Sequence, residues 1–116
     1  MTVKWLDDPE DHDYGAVADY LSMLAEPASV AKTLYRKAKD ILRAAQQSLL
    51  PDTNVRVRVD LGKISDGKRL SPTLLVRGNA VMASPPQIAD GYHRVCASYL
   101  TDENTPIPCR LVSWQA

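Results

Sequence analysis

The stretch Gln87-Ile88-Ala89-Asp90-Gly91-Tyr92-His93-Arg94-Val95-Cys96-Ala97 constrains this chain more than any other. It reads as the end of a buried strand, a tight turn at Asp90-Gly91, and a helix that opens on Tyr92, His93 and Arg94. A helix begun in this way leaves its first backbone N–H groups free and places the positive end of its macrodipole beside them. Gly91 lets a ligand approach the backbone closely, and His93 and Arg94 add side-chain donors. That combination suits a phosphate or a carboxylate.

The candidate phosphate-binding residues are therefore Asp90, Gly91, Tyr92, His93 and Arg94, each with a structural role to weigh beside the functional one. Arg94 is either a fork-shaped donor to phosphate oxygens or the partner of Asp90 or of an acid within residues 7–13. His93 either donates to the anion and moves protons or orients the turn. Tyr92 packs at the rim or stacks on a base. Asp90 caps the helix or holds Mg²⁺. Arg77, at the end of the strand expected to neighbour this turn, is placed on the same rim, with Lys68 and Arg69 as further rim cations.

At 116 residues and 45% hydrophobic content, the chain suits a single domain, 1–116. No apolar run approaches the roughly 20 residues that span a bilayer, and the N-terminal residues lack the pattern of a secretion signal. Membrane partners are not expected, and a cytoplasmic setting is. Cys96 and Cys109 have no metal-ligand spacing and read as small core residues; no metal cluster is expected. The net charge is zero but unevenly spread. Residues 1–26 hold seven acids and one base, whereas residues 27–77 hold eleven bases and four acids. Such asymmetry fits either pairing between the two parts or a nucleic-acid face.

Residues 2–6 read as a short strand or arm anchored by Trp5, and Asp13 as the cap of a helix over 14–25. From Ser29 to Leu49, Val30, Leu34, Ala38, Ile41, Leu42, Ala45 and Leu49 recur at helical spacing. The spacing predicts one long helix whose other face carries Lys32, Arg36, Lys37, Lys39 and Arg43, a basic face able to meet a nucleic-acid backbone. Residues 54–64 fit two periods: Val55, Val57 and Val59 alternate as in a strand, while Val57, Leu61 and Ile64 fit a helix. Thr73 to Arg77 reads as a central strand that pairs as a hairpin with the strand ending at Ile88-Ala89. A helix follows to about Leu100 with Val95, Cys96, Tyr99 and Leu100 facing inward, and then a final strand over 107–112. The class is α+β.

Three ordered segments resemble the ParB/sulfiredoxin-like superfamily. Leu70-Ser71-Pro72-Thr73-Leu74-Leu75-Val76 is similar to its proline-led strand. Ile88 to Ala97 is similar to its strand-turn-helix box. Pro106-Ile107-Pro108-Cys109-Arg110-Leu111-Val112 is similar to its closing strand. The resemblance covers roughly 54–112, implies a small mixed sheet, and leaves 1–53 as a helical N-terminal addition. It also favours the helix over 57–64.

Against the ParB box, Gly-Glu-Arg-Arg-x-x-Ala, the chain matches at Gly91, Arg94 and Ala97. Against the sulfiredoxin box, Gly-Gly-Cys-His-Arg, it matches at Gly91, His93 and Arg94. Tyr92 stands where the sulfiredoxin nucleophile belongs, so sulfinate reduction is not expected, nor is centromere binding with only residues 98–116 following the box. The resemblance implies a nucleotide held by its phosphates at the helix start, with Mg²⁺, and hydrolysis or phosphoryl transfer as the chemistry, the latter also because a free-serine kinase branch carries an Asp-Gly-x-His-Arg box. The alternative is a non-enzymatic DNA-associated or protein-interaction module using the basic face of residues 29–49.

Overall fold

The computed structural model describes residues 2–6, 33–78 and 84–113. The expected helix over 14–25, His12, Lys32, Asn79 and Trp114 lie outside the described residues. In chain order the elements are β1 (Lys4–Trp5), β2 (Thr33–Lys37), α1 (Ala38–Ala44), α2 (Val55–Ser65), β3 (Arg69–Leu70), β4 (Thr73–Val76), β5 (Gln87–Asp90), α3 (Tyr92–Thr101) and β6 (Pro106–Val112). The class is α+β, as expected.

The main sheet has the order β2-β6-β4-β5. Its interior strand β6 runs antiparallel to β2 and parallel to β4. The expected hairpin is present: β5 returns antiparallel beside β4, with Leu74 opposite Asp90 and Val76 opposite Gln87. β4 is buried along nearly all its length, which is why it reads as an unbroken apolar run rather than an alternation. A second, two-stranded parallel pair joins β1 to β3, so the Trp5 segment is a strand, with Lys4 opposite Arg69 and Trp5 opposite Leu70.

The apolar stripes of the helices merge with the sheet into one core. Val57 and Ile64 come from α2, Val95, Cys96 and Ala97 from α3, Ile41 and Leu42 from α1, and Ile107 and Cys109 from β6. Both thiols are free and buried. Burial pushes the Cys109 thiol up to about 12, and raises that of Cys96 as well. They are core residues. Leu100, expected to face inward, is instead exposed, whereas Ala97 and Ser98 are buried.

The single helix expected over 29–49 is not formed. Residues 33–37 are strand and helix begins only at Ala38. Of the apolar stripe Leu34 alone falls within 33–37, and the ladder to β6, from Thr33 opposite Arg110 to Lys37 opposite Pro106, holds that segment as a strand. Tertiary hydrogen bonding of this kind overrides a weak local preference. The helix then stops in a Schellman turn, with Gln46 N–H donating to Arg43 O and Gln47 N–H to Leu42 O. Gln46 takes the left-handed conformation at φ 56° that this turn needs.

For residues 54–64 the helix is the outcome. Asn54 caps it, its Oδ1 accepting from the N–H groups of Arg56 at 3.0 Å and Val57 at 3.2 Å. Among the described residues no helix is long and apolar enough to cross a membrane.

Candidate functional site

The turn between β5 and α3 is made by Gly91, which sits at the N-cap with φ 105°. A side chain there is excluded twice. The conformation disfavours any L residue, and a Cβ would lie 2.9 Å from Arg94 Nη2 and 3.1 Å from Thr73 Oγ1. Asp90, expected to cap α3, is instead the last residue of β5, and no side chain caps the helix. The first intrahelical hydrogen bond runs from Val95 N–H to Gly91 O. The amides of Tyr92, His93 and Arg94 therefore precede the ladder at the positive end of the helix.

Arg94 is turned towards the protein. Its Nε donates to Ser71 O at 2.9 Å, and Nη2 donates to Pro72 O at 3.0 Å and to Asp90 Oδ2 at 3.2 Å. The guanidinium fork thus ties the first turn of α3 to the segment entering β4. Of the roles weighed for Arg94, the structural one accounts for two of its three guanidinium nitrogens.

Beside this turn is a cavity of about 260 Å³. β5 and α3 line it with Asp90, Gly91, His93 and Arg94, and α2 lines it with Arg56, Val59 and Asp60. The α2 contribution was not anticipated from sequence. A signal was present: Asp60 lies three residues after Val57 and four before Ile64, so a carboxylate occupies the buried stripe of an amphipathic helix. Asp60 is only 8% exposed. Burial raises its pKa above the ordinary 3.8, an effect that Lys63, Arg94 and His93 partly offset. Lys63 Nζ lies 3.9 Å from Asp60 Oδ1. Among the described residues no cluster of three or more His, Cys, Asp or Glu could hold a metal ion.

Two of the expected site residues are placed elsewhere. Arg77 borders a different cavity, of about 440 Å³, with Leu34, Arg36, Leu75 and Leu111. The antiparallel register is the reason: β4 ends beside the beginning of β5, so Arg77 lies at the opposite end of the hairpin from Asp90. Tyr92 lines a third cavity with Gln46, Gln47 and Ile88. Its hydroxyl donates to Ser48 O, and its ring tilts by 37° against that of His93. Lys68 and Arg69 are exposed and do not border the Asp90–Arg94 cavity.

The basic face of the alternative reading is dispersed. Arg36 and Lys37 belong to β2, Lys39 and Arg43 to the short α1, and Arg43 is paired with Asp40 at 2.5 Å.

Comparison with family models, with curated proteins and with solved structures gave no match.

Proposed function

We propose that this chain is a ParB/sulfiredoxin-like domain that binds the phosphate groups of a nucleotide in the cavity between the start of α3 and one side of α2. The observation that carries the reading is convergence. Gly91, His93 and Arg94 at the start of α3 and Arg56 of α2 line one hollow, beside the amides that open the helix without a side-chain cap. The order of the proline-led strand, the Asp-Gly-x-His-Arg box and the closing strand supports the same assignment. Within it, His93 and Arg56 donate to phosphate oxygens, while Arg94 holds the turn in shape. Mg²⁺ is usually held by one or two carboxylates together with phosphate oxygens; Asp90, at the turn, would hold it here, and the ion would neutralise phosphate charge. The DNA-associated alternative loses the single helical face on which it rested.

The test is a thermal-shift and calorimetric titration with nucleoside mono-, di- and triphosphates, with and without Mg²⁺, on wild type and Arg56→Ala. Arg56 is exposed, so its removal spares the core. A ligand at a hundred times its Kd stabilises by about 2.7 kcal/mol. Wild type gains that stabilisation and Arg56→Ala loses most of it. A wild-type melting temperature unmoved by every nucleotide sinks the reading.

A further inference from the structure

The same cavity holds a carboxylate that anion binding leaves unused. Asp60 lines the hollow with Arg56, Gly91 and His93. It is 8% exposed and accepts no hydrogen bond from any described residue; its nearest cation, Lys63 Nζ, is 3.9 Å away. Asp90, the other carboxylate at this cavity, already has Oδ2 engaged by Arg94 at 3.2 Å. Burying a carboxylate whose ion-pair partner, Lys63, stands 3.9 Å off costs folding free energy. A negative charge facing an anion site also opposes the ligand. Burial and the charge of the ligand therefore both weigh against an acid in the stripe between Val57 and Ile64, at the wall of the cavity. A proton acceptor needs what Asp60 has: free lone pairs, a place beside the phosphate donors, and little solvent.

Building on the nucleotide reading above, we propose that Asp60 is the proton acceptor in hydrolysis of the terminal phosphoanhydride of a nucleoside triphosphate bound in this cavity. Water attacks the terminal phosphorus. The new P–O bond forms as the bond to the bridging oxygen breaks, and that electron pair stays on the departing nucleoside diphosphate. The proton lost by the attacking water passes to an Asp60 oxygen and from there to solvent. The α3 amides, His93 and Arg56 face the charge that gathers on the phosphoryl oxygens. Burial keeps Asp60 more basic than an exposed aspartate, the direction that favours proton uptake.

The experiment measures phosphate release from ATP, GTP, CTP and UTP with Mg²⁺ by wild type and Asp60→Asn between pH 5 and 9, with calorimetric affinity on the same samples and circular dichroism to verify folding. Loss of a general base lowers the rate by about 100-fold or more. Asp60→Asn should show that loss while binding nucleotide as tightly as wild type or tighter, because a repelling charge is gone. The wild-type rate should fall towards the acid end as Asp60 takes up a proton, a fall absent from the variant. Phosphate release by Asp60→Asn within threefold of wild type overturns the proposal. So does a wild type that binds nucleotide but releases no phosphate, an outcome that leaves the binding reading standing. If no nucleotide binds wild type, the binding reading fails and takes the proposal with it.

Discussion

Removing the Arg94 side chain should damage the fold before it touches any ligand. In Arg94→Ala the carbonyls of Ser71 and Pro72 lose donors at 2.9 and 3.0 Å, and Asp90 loses its cation at 3.2 Å. A hydrogen bond to a charged group contributes about 1.5–3 kcal/mol net. The side chains of Arg94 and Asp90 are 16% and 21% exposed, so their ion pair is partly screened and adds less. Water from the adjoining cavity can re-solvate part of what is left. Together these place the loss at about 3 kcal/mol. For a domain of this size each kcal/mol moves the melting temperature by about 4 °C, so the fall is about 12 °C.

Arg94→Lys should recover little of it. One ammonium on a flexible stem does not reproduce a planar fork that bridges two carbonyls and a carboxylate. Chemical denaturation with urea, fitted for wild type and both variants, gives the numbers directly. A loss below about 1 kcal/mol in Arg94→Ala would refute the argument that the guanidinium is a staple. If that variant were also blind to nucleotide, the fork would belong to the ligand instead.

Three further outcomes follow from particular backbone and side-chain positions. Gln46→Gly should stabilise the chain by about 1 kcal/mol in the same denaturation assay, because glycine relieves a left-handed residue at φ 56° in the turn that ends α1. Gly91→Ala should cost about 2 kcal/mol or more, since the new methyl meets a φ of 105° and the Arg94 guanidinium at 2.9 Å; a variant as stable as wild type would show that the turn relaxes freely. The pH dependence of stability should carry the mark of Asp60. Its folded pKa lies above the unfolded value of 3.8, so its contribution is fully present below about pH 3.8 and is lost as pH rises through the folded value. Melting temperatures of Asp60→Asn and wild type should therefore diverge towards neutral pH, with the variant the more stable. A constant gap from pH 3 to 8 would contradict this.

The sequence by itself determined the segments marked by strong local signals. The apolar run of Thr73–Val76, the Asp90-Gly91 turn and the helix after it were legible because glycine, strand burial and helix onset are local properties. The buried thiols were legible for the same reason. Tertiary structure decided the rest. Leu34, Ala38, Ile41 and Leu42 sit at helical spacing, yet the ladder to β6 made Thr33–Lys37 a strand and scattered the basic residues. The fork of Arg94 is aimed by carbonyls more than twenty residues upstream, at Ser71 and Pro72. Hairpin direction sent Arg77 to the far end from Asp90, and the packing of α2 beside the turn brought Arg56 and Asp60 to it. Local pattern specifies which element a residue joins. Which groups come to share a cavity is set by long-range pairing that no window of sequence contains.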